Sequence, residues 1–123
     1  MKLLFFVGVG GFIGSILRYT LYLNFNKIVY YNFPIGTFII NVVGCFIIGI
    51  LVNSGIIKAE KIPYNEFFII GILGGFTTFS AFGMETYNLI KENLLLTAFL
   101  YVFSSILVGL FSIYISSKFY NNI

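Results

Sequence analysis

Four long apolar stretches make up most of this chain and restrict what it can fold into. They cover about residues 3–23, 33–54, 67–90 and 94–117, and each reaches the roughly 20 residues that a helix needs to cross a bilayer. Charged residues make up only 9% of the chain, against roughly 25% in an ordinary soluble domain. The sequence therefore predicts an all-α, multi-pass integral membrane protein of the inner or plasma membrane. We expect residues 1–123 to form a single domain of four transmembrane helices.

The third apolar stretch is interrupted by residues that do not suit a lipid-facing helix. Residues 71–85 read GILGGFTTFSAFGME, and a glycine pair followed by a threonine pair favours a departure from helical hydrogen bonding. At membrane depth the freed carbonyl groups are tolerated only where protein, water or an ion satisfies them. The pattern predicts a break near the middle of the third helix, with an ion site beside it. Alternatively, the glycines serve close helix crossing and the carbonyls find ordinary donors.

Composition argues against several other classes of protein. The chain has no histidine, and its one cysteine is Cys45, so zinc or haem ligation by these residues and an intrachain disulfide are not expected. No nucleophile–base pair can be assembled, and we therefore expect the protein not to be an enzyme. The net charge is only +3, and the basic residues stand singly at the ends of the spans. This placement is typical of headgroup anchors rather than of a nucleic-acid-binding patch.

The distribution of lysines gives only a weak preference for one orientation in the membrane. An even number of spans places both termini on the same side, with Lys2, Lys58, Lys61 and Lys118 on that side and Lys27 and Lys91 on the other. Because all loops are short, four lysines against two is a slight positive-inside bias. The chain could insert either way, and a dimer of both orientations is then possible. The alternative is one orientation with cytoplasmic termini.

Three polar side chains inside the spans are candidates for function. Arg18, near the bilayer edge, either draws anions towards a pore mouth or is a snorkelling anchor. Asn41 either donates to an anion from its amide group or joins two helices by hydrogen bonding. Glu85 is a functional candidate because a carboxylate in a span is costly, but Arg18 or Lys91 of a neighbouring helix could also neutralise it.

Aromatic and hydroxyl groups lie close to the predicted break. Phe79 and Phe82 are three residues apart and therefore share a helix face. The edge of an aromatic ring is positive, so rings turned edge-on into a narrow passage would favour an anion, although packing is the commoner role of phenylalanine. Hydroxyl groups in the middle of the fourth span either line the same passage or bond to backbone carbonyls; they belong to Tyr101, Ser104 and Ser105. Four helices are too few to enclose a wide pore, so transport would require an oligomer.

Three motifs, in order along the chain, resemble those of the Fluc/CrcB family of fluoride channels. They are GGFIGSILRY at residues 10–19, GTFIINVVGCFIIG at 36–49 and GGFTTFSAF at 74–82, and the resemblance covers essentially the whole chain. It implies a homodimer of two oppositely inserted, antiparallel subunits with two fluoride pores along their interface. The implied function is passive export of cytoplasmic fluoride down its electrochemical gradient, which lowers fluoride toxicity.

The resemblance also implies roles for particular residues. The implied pore residues are Asn41, Phe79, Phe82, Ser80, Tyr101 and Ser105, with Arg18 in the vestibule. Backbone carbonyls of Gly74 and Thr77 from each subunit would hold a structural Na⁺ that is not transported, and Glu85 matches a glutamate of the third helix with a structural or gating role. Ala81 departs from the family pattern, since members commonly carry threonine there, and the polar track is then one hydroxyl short.

Two other functions remain open at this stage. A small dual-topology multidrug or cation exporter would have a similar length and number of spans, but it requires a carboxylate near the middle of the first span, where residues 3–23 have none. A non-transporting membrane scaffold would have no reason for the break in the third helix.

Overall fold

The computed structural model describes residues 1–28, 32–53 and 63–121 of the chain. Its elements are α1 (Lys2–Phe25), α2 (Ile35–Asn53), a π-helix (Asn65–Leu73), the short helix α3 (Gly74–Phe76), α4 (Phe79–Lys91) and α5 (Leu95–Asn121). The π-helix, α3 and α4 together form the third span, and four helical stretches are long and apolar enough to cross a membrane: Lys2–Phe25, Ile35–Val52, Asn65–Lys91 and Leu95–Lys118. The predicted number of spans is confirmed. The predicted end of the second span at Ser54 lies outside the described residues.

The spans pack in pairs that leave most apolar side chains on the surface. Helix α1 packs along the π-helix and α3, while α2 packs along α5. The buried apolar residues are few: Ile40, Leu73, Phe76, Leu89, Ala98 and Tyr101. Many phenylalanines and leucines of α1 and α5 are exposed instead, as expected where lipid replaces water around the protein.

Glycines let α1 lie directly on the backbone of the third span. A β-carbon at Gly14 would overlap the carbonyl group of Ile72, and one at Gly75 would come within 2.6 Å of the carbonyl oxygen of Gly11. Small residues permit this close approach between membrane helices. Gly11, Gly14 and Gly75 therefore serve the packing of these helices within one chain.

The first half of the third span is a π-helix, which the sequence pattern does not indicate. The N–H group of Gly74 donates to the carbonyl oxygen of Ile69, five residues earlier. Such helices are rare and usually limited to one turn, whereas this one extends over nine residues. Its Phe67 and Gly71 backbone atoms lie against Gly10 of α1, so the widened helix forms the surface on which α1 packs.

The predicted break in the third span is present, but it lies just after the glycine pair. Gly74 and Gly75 are helical, whereas Thr77 (φ −79°, ψ 157°) and Thr78 (φ −149°, ψ 119°) are extended. The glycines stay in the helix, and Gly75 lies there against the backbone of Gly11 in α1. Thr77 still bonds to the preceding turn, since its N–H and its hydroxyl both donate to the carbonyl oxygen of Leu73 at 2.9 Å. Thr78 is the residue whose backbone groups find partners outside the helix, because both bond to Asn41.

A tight turn at Asn93 brings α5 back against α4. Asn93 has a left-handed backbone (φ 60°), and the N–H of Leu94 donates to the carbonyl oxygen of Leu89 at 2.9 Å. This is a Schellman motif, with its usual apolar contact between the residues on either side of the turn. Leu94 also packs on the cluster of Leu89, Ala98 and Tyr101, and the turn therefore places Tyr101 beside α4.

Candidate functional site

The backbone of the break is bonded by one side chain of the second span. Asn41 donates from its amide nitrogen to the carbonyl oxygen of Thr78 at 3.1 Å, and its amide oxygen accepts the N–H of Thr78 at 2.9 Å. One primary amide thus satisfies both polar backbone groups of an extended residue. This contact supports the helix-joining role considered for Asn41.

Thr78 also begins the second half of the span. Its hydroxyl oxygen accepts the N–H of Ala81 at 3.2 Å and lies 3.3 Å from the hydroxyl oxygen of Ser80. Threonine is a good N-cap because it satisfies an N–H that has no partner within the first helical turn. Helix α4, which carries Phe79, Phe82 and Glu85, therefore begins directly after Thr78 and is capped by it.

A cavity of about 390 Å³ opens beside the break. It is lined by Asn41, Gly44, Cys45, Ile48, Ile69, Leu73, Gly74, Thr77, Thr78, Phe79 and Ile113. Both residues proposed to hold a sodium ion, Gly74 and Thr77, are in its wall. In a continuous helix the carbonyl of Gly74 would accept the N–H of Thr78, but that N–H donates to Asn41 instead.

Two of the implied pore residues form an aromatic pair on α4. The rings of Phe79 and Phe82 have their centroids 5.6 Å apart at an interplanar angle of 36°, as expected from their shared helix face. Phe79 is 83% exposed, whereas Phe82 also packs on Tyr101, with ring centroids 5.1 Å apart. The row of rings runs from the surface of the protein to buried Tyr101.

Glu85 is bonded by two hydroxyl groups from the neighbouring spans. The hydroxyls of Thr37 and Tyr101 each donate to one carboxylate oxygen of Glu85, both at 2.7 Å. The structure thus shows hydroxyl partners for this carboxylate, and not the pairing with Arg18 or Lys91 that the sequence left open. Tyr101 is fully buried, and it links the aromatic row to this carboxylate.

Arg18 lies in a groove between α1, α2 and α4. The groove encloses about 500 Å³ and is lined by Ser15, Arg18, Tyr19, Tyr22, Thr37, Ile40, Thr78, Ser80, Ala81 and Met84. Arg18 and Ser80 therefore line the same groove, and Thr78 lies in the walls of both this groove and the cavity beside the break. Ala81 faces the groove, so the methyl group that replaces the expected threonine leaves this wall with one hydroxyl fewer.

Ser105 lies one turn beyond Tyr101 on α5 and is half-buried, with its hydroxyl oxygen inaccessible. Its hydroxyl has no hydrogen-bond partner among the described residues. Neighbouring Ser104 differs, since its hydroxyl donates to the backbone carbonyl of Tyr101 at 3.3 Å. A hydroxyl inside a membrane protein without a partner is free to donate to a polar guest.

Sequence reasoning missed two residues of this site, Thr37 and Thr78. Thr37 is four residues before Asn41, so the two share a face of α2. This spacing could have identified Thr37 as a residue of the site. Thr78 stands inside the quoted TTFSAF segment, but its role depends on Asn41, which is 37 positions away in the chain. No spacing rule connects them.

The chain is similar to known proteins over nearly its whole length. The family model described as "CrcB-like protein, Camphor Resistance (CrcB)" matches residues 5–117. The chain belongs to the CrcB family. This confirms the resemblance drawn from the three motifs.

Curated CrcB relatives carry a functional name. A protein of Flavobacterium psychrophilum is 43% identical over 111 residues, covering 89% of this chain and 90% of the relative. One of Azobacteroides pseudotrichonymphae is 41% identical over 89% of this chain and 88% of its own. A protein of Helicobacter pylori strain J99 is 40% identical over 92% of this chain and 89% of the relative. All three are named "Fluoride-specific ion channel FluC". Together with the four spans, this CrcB membership makes the chain a multi-pass membrane protein.

Proposed function

We propose that this protein is a fluoride-specific channel that exports cytoplasmic fluoride passively. The observation that carries the proposal is the similarity of about 40% over most of the chain to relatives named as fluoride-specific channels. The broken third span, with an aromatic pair and hydroxyl groups beside the break, provides chemistry that suits this ion.

The groups near the break suit a small, strongly hydrated anion. A pore must replace the water around fluoride with several donors at close range, and a narrow passage excludes larger anions. The candidate donors are the hydroxyls of Ser80, Tyr101 and Ser105, the amide of Asn41 and the ring edges of Phe79 and Phe82. In the described conformation the hydroxyl of Tyr101 donates to Glu85. It can donate to fluoride only when this bond to Glu85 is broken.

The proposed channel is a homodimer of two antiparallel subunits. Phe79 is 83% exposed although it stands in the middle of a span, and the cavity beside the break and the Arg18 groove both lie at the edge of one subunit. A second copy would turn these open surfaces into closed passages. The weak lysine bias permits the two copies to insert in opposite directions.

A sodium ion at the centre of the dimer is part of the proposal. The donor set fits such an ion, since Gly74 has lost its helical donor and Thr77 is extended, which leaves carbonyl oxygens beside the cavity. No group of three His, Cys, Asp or Glu side chains occurs in the described parts of the chain, and oxygen donors without carboxylates favour a monovalent ion over a divalent one. The ion would supply positive potential close to the proposed pores.

The proposed function is tested by fluoride efflux from liposomes that contain the purified protein. We expect fluoride to leave loaded vesicles, as read by a fluoride electrode, while chloride-loaded vesicles retain their anion. The control is empty liposomes of the same lipid. Equal efflux of both anions, or none of either, would contradict the proposal, and cation-coupled drug efflux would favour the exporter.

The sodium ion is tested separately by ion replacement. We expect fluoride efflux to fall after long dialysis of the protein against a large organic cation and to return when sodium is restored. Undiminished fluoride efflux from the sodium-free sample would contradict the sodium site but not the proposed channel function.

A further inference from the structure

The break in the third span depends on a side chain of the second span. Extended residues at membrane depth expose an N–H and a carbonyl group that water does not reach, and each unsatisfied group costs several kcal/mol. At Thr78 both groups are paired with Asn41, at 2.9 and 3.1 Å. A primary amide suits this task because it presents a donor and an acceptor side by side, as a peptide group does.

The rest of the second span holds Asn41 against the break. Asn41 lies inside α2, where backbone hydrogen bonds keep its position. At Gly44, three residues further on, a β-carbon would overlap the methyl group of Thr77. The face of α2 that carries Asn41 and Gly44 is therefore in direct contact with both extended residues.

The groups on either side of the break depend on the conformation of Thr78. On the C-terminal side Thr78 caps α4 through Ala81 and directly precedes Phe79. On the N-terminal side, the bond from Thr78 to Asn41 removes the helical donor of the Gly74 carbonyl. Without Asn41, the N–H and carbonyl groups of Thr78 would lose the hydrogen bonds that the structure gives them.

We propose that Asn41 is a positioning residue that holds the third span open at Thr77 and Thr78. Through this backbone it sets the direction of the Phe79 and Phe82 rings and keeps the Gly74 carbonyl available. Contact with a passing ion uses at most the second hydrogen of its amide, because the first is bonded to Thr78. The flux measurement below rests on the proposed channel function, whereas the exchange measurement does not.

The first test measures hydrogen exchange of the peptide that contains Thr78, in the full-length protein in detergent. Asn41→Leu removes both bonds, and Asn41→Asp keeps the acceptor but loses the donor. We expect exchange of the Thr78 N–H to be faster by about thirtyfold in Asn41→Leu and by about fivefold in Asn41→Asp, the factors that correspond to losing two bonds or one bond at about 1 kcal/mol each. The matched control is Ser112→Ala, which removes a 3.2 Å bond to the Val42 carbonyl elsewhere on α2 and should leave this peptide unchanged. Parent-like exchange in Asn41→Leu would overturn the proposal.

The second test asks whether Asn41 acts through the Thr78 backbone. Replacing Thr78 by its α-hydroxy acid turns the peptide N–H into an ester oxygen. It removes, from the other side, the bond from the Thr78 N–H to Asn41, which is one of the two bonds that Asn41→Leu removes. We expect this ester and Asn41→Leu each to reduce fluoride efflux about tenfold, and the combination to reduce it little further, because coupled changes are not additive. If the two reductions multiply, or if the ester conducts like the parent, Asn41 acts directly on the ion and the proposal is wrong. A parent protein without flux would refute the proposed channel function but leave the exchange result standing.

Discussion

At the scale of single residues, the polar side chains inside the spans bond to one another across helices. Asn41 bonds to the Thr78 backbone, and Glu85 accepts hydrogen bonds from Thr37 and Tyr101. Hydrogen bonds to a charged group are worth about 1.5–3 kcal/mol, and an unpartnered buried group costs at least as much. Residue changes here should therefore affect stability as well as conduction.

The aromatic pair gives the first prediction. Phe79→Ile and Phe82→Ile should each strongly reduce fluoride efflux in liposomes, because an aliphatic side chain lacks the positive ring edge. Size-exclusion chromatography should show the same assembly as the parent. The control is Phe103→Ile, which alters a ring that stacks on exposed Phe99 at 5.7 Å away from the break. If both α4 variants conduct fluoride as the parent does, these rings serve packing and do not line the fluoride path.

Tyr101 gives the second prediction. Tyr101→Phe keeps the ring contacts with Phe82 and Phe33 but removes the donor to Glu85, so we expect a loss of stability of about 1.5–3 kcal/mol. Thermal unfolding in detergent measures it. Tyr114→Phe, at a ring that is 55% exposed, should unfold like the parent. If Tyr101→Phe also unfolds like the parent, the hydrogen bond from Tyr101 to Glu85 does not contribute to stability.

At the scale of elements, the third span owes its shape to the two helices that pack on it. Helix α1 lies on the π-helix and α3 through glycines, and α2 bonds to the break. The turn at Asn93 brings α5 against α4. The break therefore results from packing on either side as much as from the local sequence.

The crossing of α1 and the third span gives the third prediction. Gly14→Ala should lower stability by about 1–3 kcal/mol, as overpacking does, since its β-carbon would overlap the Ile72 carbonyl and come within 2.9 Å of the Phe76 nitrogen. Gly8→Ala is the matched control, because no atom lies within 4 Å of a β-carbon there, and helix propensity favours alanine by about 1 kcal/mol. Thermal unfolding of the two variants should shift in opposite directions. A shift of the same size and sign for both would show that the crossing tolerates a methyl group.

At the scale of the whole molecule, the single chain leaves its cavity, its groove and one aromatic ring open on its surface. The cavity beside the break, the Arg18 groove and exposed Phe79 lie along α4 and its neighbours. Because few side chains are buried among the four spans, many of the polar and aromatic groups lie at the surface of the single chain. The proposed antiparallel dimer would cover it.

The orientation of the subunits gives the fourth prediction. Asn26→Cys, in a Cys45→Ala background, places a thiol directly after α1. A membrane-impermeant thiol reagent applied to one side should label about half of the protein, since a weak positive-inside bias lets the chain insert both ways. Labelling after permeabilisation gives the total. Complete or absent labelling from one side would rule out the antiparallel arrangement.

By itself, the sequence determined the number of spans, the presence of a break in the third and the pairing of Phe79 with Phe82. These features depend on local properties: a run of about 20 apolar residues must cross the bilayer, and residues three apart share a helix face. Tertiary structure alone decided that Gly75 stays helical while Thr77 and Thr78 leave the helix, that Asn41 bonds to Thr78, and that hydroxyls rather than cations pair with Glu85. The physical reason is that each of these outcomes is a contact between separate spans, with partners 16 to 48 positions apart for the bonds of Glu85. The local sequence does not choose between the alternatives, and the packing of α1, α2 and α5 on the third span decides them.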